Sequence, residues 1–330
     1  MKNKPVIMVT GAAGFIGSHL VDYLLNKNNI VIGLDNLSNG TMRNLRNASE
    51  NKNFSFIKSD ILNLQDCVNY CKNVDVVYHL ACLGVRHSLH SPIENHKVNA
   101  EGTLNMLEAS KRNFIKQFIY ISTSEVYGKV DQFPISETAL PVPITVYGSS
   151  KLVGEHYANS YRECFGLNTT VIRIFNNYGP RAHFEGDSGE VIPRTIVNFL
   201  KGNNATLFGD GNITRDFYYV KDTARILGNM IGNKKIMGNI FNLGTSDEIK
   251  IGDVIKSISN LMKDYNPKTE KLPDRPADVP RLWVNNIKIS KVIDISSEIS
   301  FSKGILNTIS YYKKLHEVGD LVEKVPKINW

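Results

Sequence analysis

"PVIMVTGAAGFIGSHLVDYLLNK", residues 5–27, decides the fold. Residues 5–10 are an apolar, largely β-branched run of strand length. Residues 16–27 carry their apolar side chains at helical spacing. Between the two lie Gly11, Gly14 and Gly17, spaced GxxGxxG, one residue longer between the first two than GxGxxG. A glycine run that follows a strand and opens a helix brings free N–H groups and the helix dipole up to a pyrophosphate. Gly11 permits the tight turn, Gly14 lets the backbone approach the phosphates, and Gly17 lets the helix pack against the sheet. With Phe15 and Ile16 beside them, these residues read as the phosphate end of a dinucleotide site.

The same alternation continues through the first half. "IVIGLD" (30–35), "NFSFIKSD" (53–60), "VDVVYHLA" (74–81), "QFIYIST" (117–123) and "NTTVIRIF" (168–175) read as strands. "LQDCVNYCK" (64–72), "IENHKVNAEGTLNMLEASKRN" (93–113) and "TVYGSSKLVGEHYANSYRECFG" (145–166) read as helices. Strands alternating with helices predict an α/β doubly wound parallel sheet, a Rossmann domain over 1–175. Asp35 ends the second strand, where a carboxylate accepts hydrogen bonds from ribose hydroxyls and repels a 2′-phosphate, so NAD is the expected cofactor. Arg43 and Arg46 follow soon after, and an Arg there can instead accept that phosphate. Asn36 adjoins Asp35. Asp60 and Ile61 end the third strand, facing the adenine. Leu80 and Ala81 end the fourth, and Asn99 completes the cofactor set. Residues 36–52 are polar and without clear period.

The rhythm changes after residue 175. The chain becomes rich in Gly, Asn, Asp and Arg, with helices at "VIPRTIVNFLKG" and "IGDVIKSISNLMKD" and short strands at "FYYV" and "NIFNLG". "NPKTEKLPDRPADVP" reads as a Pro-rich charged loop. Residues 176–330 are expected to form a smaller substrate-binding region, part of it returning to the sheet.

Composition bounds the function. The chain has 330 residues, 42% of them hydrophobic and 22% charged. Its net charge of +7 is dispersed, with no basic run or stripe interleaved with aromatics. That pattern speaks for a solvated surface or a phosphate-bearing substrate and against nucleic acid. No apolar stretch approaches the ~18 residues of a membrane span, and no signal-peptide pattern opens the chain. The expectation is a cytoplasmic protein with no membrane partner. Cys67, Cys71, Cys82 and Cys164 form no CxxC pair and have no His spaced to join them, so no metal site is expected.

Two polar stretches carry the chemistry. "YGSSK" puts Tyr147 and Lys151 four residues apart, on one face of a helix. A Lys ammonium beside a phenol favours the phenolate. A Tyr so tuned can take a hydroxyl proton while hydride leaves the same carbon. "STSEVYG" (122–128) sets Thr123, Ser124 and Glu125 at the end of an apolar strand. Tyr127 within it reads as structural.

The order of glycine motif, Asp, Ser/Thr-ended strand and YxxxK resembles the extended short-chain dehydrogenase/reductases. Within them it resembles the NAD-dependent nucleotide-sugar epimerases, dehydratases and decarboxylases. The likeness runs through "TGAAGFIGSHL", "LDNLSNG", "HLA", "VNAEGTLNMLEA", "STSEVYG", "YGSSK", "FNNYGPR", "GDGNITRDF" and "RPADVP". It implies that Thr123 hydrogen-bonds the sugar O4, Tyr147 removes the O4 proton, and Lys151 holds the nicotinamide ribose. It implies a nucleotide-diphosphate sugar as substrate and NAD retained through the cycle. Asn176 falls at the sugar or its phosphate, and Arg215 and Arg275, with help from Arg281, at the diphosphate. Arg86 or Arg181 would suit a sugar carboxylate. Family members commonly pair as homodimers, here through the helices carrying "NAEGTLNMLEAS" and "VGEHYANSYRECF".

The reaction is read from Ser124 and Glu125. In dTDP-glucose-type dehydratases this pair is Asp then Glu. "TSE" is similar to GDP-mannose 4,6-dehydratases and to UDP-glucuronate decarboxylases, whereas "GVRHS" (84–88) and "RPADVP" are more like the 4-epimerases. The expectation is a 4,6-dehydratase with Glu125 as the C5 base, because epimerisation at C4 needs no such base. The alternatives are a UDP-hexose 4-epimerase, then a UDP-glucuronate decarboxylase or a non-catalytic NAD-binding protein.

Overall fold

A computed structural model describes residues 4–186, 188–275, 278–322 and 325–326. Strands β1 (Val6–Thr10), β2 (Ile30–Asp35), β3 (Phe54–Lys58), β4 (Val76–His79), β5 (Gln117–Thr123) and β6 (Thr169–Ile174) lie at or within the runs expected of them. Later come β7 (Asn176–Tyr178), β8 (Ala205–Phe208), β9 (Thr214–Arg215), β10 (Phe217–Tyr219) and β11 (Ile240–Leu243). The helices used below are α1 (Phe15–Asn26), α2 (Gly102–Arg112), α3 (Val146–Phe165) and α4 (Val191–Leu200).

Seven strands form one sheet in the order β11-β6-β5-β4-β1-β2-β3, every neighbouring pair parallel. Both faces of such a sheet are covered by helices, so its strands need apolar residues on both sides. In β5 every residue is buried. Ile119 and Ile121 join the core that holds Leu20, Val21 and Leu24 of α1. Phe118 and Tyr120 join the opposite core with Met106 and Leu107 of α2. The order runs outward in both directions from β1 and β4, and the crevice at that reversal is where ligands lie in open α/β sheets.

The structure departs from the sequence reading in three places. The helix expected over 93–113 is broken: Pro92–His96 leads into a wide π turn at Lys97–Glu101 before α2 begins. The turn lets Asn95 and Asn99 both reach inward to the Leu83–Gly84 loop. The unclear span 36–52 holds two short helical turns, Met42–Leu45 and Arg46–Ser49. The Pro-rich stretch contains a strand, Thr269–Leu272, paired with β8; Pro276 and Ala277 of "RPADVP" lie outside the described residues. β11, from the second half of the chain, completes the sheet beside β6.

Candidate active site

One cavity of about 370 Å³ follows the carboxyl ends of the central strands. Gly11, Gly14, Phe15, Ile16 and Gly17 line it, as do Tyr147 and Lys151. Asp35, Asn36, Asp60, Ile61, Leu80 and Ala81 belong to the same lining. Gly11 has φ +69°, and a Cβ there would stand 2.8 Å from the Ala81 nitrogen. A Cβ on Gly17 would stand 2.1 Å from the Gly11 carbonyl oxygen. The close approach at Gly17 is therefore to the turn itself rather than to the sheet. Asp35 accepts the N–H groups of Ala13 (2.9 Å) and Leu37 (2.8 Å), so it also fixes the glycine turn. Burial pushes its pKa up. Asn36 Nδ2 donates to Asp60 at 3.0 Å. A glycine turn at a helix N-terminus, an acid at the end of β2 and a Tyr–Lys pair along one elongated cavity fit a dinucleotide.

Asn99 does not belong to that lining. It is fully buried and holds the loop after β4, donating to Leu83 O and accepting from Leu83 N. It supports the wall of the site from behind.

The reacting end is built by β5 and α3. Thr145 caps α3, its hydroxyl accepting from Gly148 N at 3.0 Å. Thr123 ends β5, and its Oγ1 accepts the Glu125 N–H at 3.2 Å, which turns the chain sharply into the cavity. Thr123 and Tyr147 both line the first cavity. Lys151 Nζ donates to Ile121 O at 2.6 Å and lies 4.3 Å over the Tyr120 ring. Burial lowers the Lys151 pKa. Burial also raises that of Tyr147, with Cys82, Glu125 and Glu190 acting in the same direction. That direction is opposite to the lowering expected from Lys151, whose ammonium is bonded to a backbone carbonyl.

α3 is fastened behind the site by a buried chain of polar contacts. Ser122 donates to Glu155 at 2.5 Å, and Arg173 grips the same carboxylate at 2.6 to 3.1 Å. Arg173 also donates to the Tyr127 hydroxyl (2.8 Å), which donates to Asn242 of β11 (2.7 Å). Tyr127 is structural, as the sequence implied.

A second chamber opens beside the first. Arg86, Asn176, Arg194, Arg215, Arg275 and Asp278 are among its walls. Arg215 is paired with Asp278 at 2.6 Å, and Arg275 lies 4.2 Å over the Phe208 ring. Burial, with neighbouring arginines, pushes Arg275 down to about 9 and Arg194 to about 10. So many guanidinium groups around one apolar-floored chamber suit phosphate oxygens. Two expected members lie elsewhere. Arg181 pairs with Asp22 of α1 at 2.8 Å, and Arg281 pairs with Glu248 at 2.6 Å while stacking on Phe133. Neither lines a chamber, because each guanidinium has found a carboxylate distant in sequence.

Val85, Arg86, Glu125, Asn176 and Glu190 line both chambers and form the waist between them. Ser124 is buried in the wall of the first chamber. The Glu125 side chain makes no hydrogen bond among the described residues, and burial raises its pKa. It is not a carboxylate satisfied by neighbouring hydroxyls. Glu190, Arg194 and Asp278 were not read from the sequence. Glu190 and Arg194 open the "EVIPRTIVNFL" helix, and the one available signal was two charges at the start of an otherwise apolar helix.

The model of the NAD-dependent epimerase/dehydratase family matches residues 7–244. A UDP-glucose 4-epimerase of Mycolicibacterium smegmatis is 32% identical over 310 residues, covering 93% of this chain and 98% of the relative. A dTDP-glucose 4,6-dehydratase of Escherichia coli is 32% identical over 339 residues, covering 93% and 92%. The crystal structure of a UDP-glucuronic acid 4-epimerase from Bacillus cereus, with UDP-glucuronic acid and NAD, superposes with TM-score 0.88. It is 35% identical, over 94% of this chain and 99% of that one. With its parallel sheet, glycine turn and Tyr147–Lys151 pair, this chain belongs to the NAD-dependent epimerase/dehydratase family, whose cofactor is NAD.

Proposed function

We propose that this protein is a 4-epimerase of a UDP-hexose, working through a 4-keto sugar. One observation carries the reading: Thr123, Tyr147 and Lys151 line the cofactor cavity, which shares Arg86, Glu125 and Asn176 with the arginine-lined chamber. Full-length similarity to proteins named UDP-glucose 4-epimerase supports epimerisation over the dehydration that Ser124 and Glu125 led us to expect. When bound, NAD takes hydride from C4 and returns it. Thr123 hydrogen-bonds O4, and Tyr147 takes the O4 proton as the C4–H bond breaks. Lys151, one turn along the same helix, would favour the phenolate against the burial that raises the Tyr147 pKa. Arg215 and Arg275 hold the diphosphate while the ketone turns its other face. Tyr147 then returns its proton to O4 as hydride arrives, inverting C4. Incubation with UDP-glucose should yield UDP-galactose of unchanged mass, read by proton NMR and mass spectrometry. Loss of water would overturn this in favour of a second reading, a 4,6-dehydratase, which rests on the unbonded Glu125 carboxylate at the waist. The same reading includes a homodimer through α2 and α3, to be tested by light scattering.

A further inference from the structure

Arg215 reaches the second chamber from β9, a strand of only two residues. So short a strand cannot aim a guanidinium unaided. β9 lies between two other two-residue strands, antiparallel to Ile249–Lys250 and parallel to Arg281–Leu282. The Arg215 guanidinium is itself held by the chain just before Arg281. It donates to Val279 O at 2.7 Å and pairs with Asp278 at 2.6 Å. Its place therefore depends on how β9 and residues 278–282 are set against each other.

One carboxylate joins all three strands. Glu248, next to Ile249–Lys250, accepts the Thr214 hydroxyl of β9 at 2.5 Å. It also accepts the fork of Arg281, Nε at 2.6 Å and Nη2 at 2.7 Å. A bidentate Arg–carboxylate pair fixes direction as well as distance, and Arg281 rests 4.2 Å over the Phe133 ring. Asp216, the residue after Arg215, is completely buried and accepts the N–H groups of Thr245 and Ser246, both at 2.8 Å, in the loop that follows β11. Successive side chains of an extended chain point to opposite faces, so tying down Thr214 and Asp216 leaves Arg215 directed the other way. Neither Glu248 nor Arg281 lines a chamber, so an effect of either on a ligand has to pass through Arg215.

We propose that Glu248, with Arg281, is a positioning residue for the diphosphate of the substrate: it locks β9 to residues 278–282 and thereby aims Arg215. This rests on the reading above that Arg215 holds the diphosphate. Calorimetric titration of the NAD-loaded protein with UDP tests it without turnover. Glu248→Gln, which keeps the shape and removes the charge, should weaken UDP by about tenfold while NAD stays bound. Arg281→Gln, at a half-exposed position, should do the same and keeps the test available if the first variant fails to fold. With UDP-glucose the loss should fall on KM and leave kcat nearly unchanged, as for any interaction made equally in the ground and transition states. In an Arg215→Gln background, Glu248→Gln should cost no further affinity, which a merely structural role would not produce. UDP affinity unmoved by both Glu248→Gln and Arg281→Gln, or lost to the same factor with and without Arg215, overturns the proposal. UDP affinity unmoved by Arg215→Gln alone would sink the reading of Arg215 and this inference with it. UDP binding with the expected pattern but no epimerisation would sink the proposed reaction and leave this inference standing.

Discussion

At the scale of the residue, the site divides into parts that a local pattern can announce and parts that it cannot. Tyr147 and Lys151 share a helix face, and Thr123 ends a strand, so three positions within one short span carry the reading. Arg181 and Arg281 failed because a guanidinium looks the same in sequence whether it faces a ligand or a partner such as Asp22 or Glu248. Glu190 was missed because its position depends on how a loop from the second half folds back over the first. Replacing Tyr147 by Phe should cost about 10²- to 10⁴-fold in kcat while NAD remains bound, measured as turnover against cofactor content. Glu125→Gln separates the reactions. Epimerisation needs no base at C5 and should survive within about tenfold, whereas a dehydration should collapse by about 10² or more. Product analysis by mass and NMR reads the difference.

At the scale of the element, strands and helices were legible wherever burial on both faces produced continuous apolar runs, as in β5. The wide turn at Lys97–Glu101 was not, since its cause is the pair of Asn side chains drawn toward Leu83. A comparable cross-link ties β1, β4 and α2. His79 is completely buried, with Nδ1 2.8 Å from the Thr10 hydroxyl and Nε2 3.1 Å from that of Thr103. Burial pushes its pKa down from 6.5 to about 3. The sign follows from linkage. Above pH 6.5 the ring is neutral in both folded and unfolded chains, and the bridge stabilises in full. As pH falls below 6.5 the unfolded chain takes up a proton that the fold refuses, so this contribution is lost down to about pH 3. In urea titrations His79→Gln should be less stable than the native protein at pH 7. The gap should shrink by a few kcal/mol toward pH 4. A gap constant with pH would show that the ring titrates freely.

At the scale of the whole molecule, the two regions read from the sequence are interleaved. β11 comes from the second half and covers the edge of β6. A fragment of residues 1–175 should therefore expose that edge and aggregate, whereas one extended through residue 250 should be more soluble at equal concentration. Sedimentation of the two fragments decides it. This interleaving was only partly legible, because "NIFNLG" reads as a strand without saying which sheet it joins. The buried contacts running from Ser122 through Glu155, Arg173 and Tyr127 to Asn242 span β5, α3, β6 and β11. Removing one member of such an ion pair leaves a charge stranded in the core, while replacing both by apolar groups can be nearly neutral. Glu155 and Arg173 therefore tolerate replacement together better than singly. Two stable sequences can lie two substitutions apart, with each single step between them passing through a strongly destabilised chain.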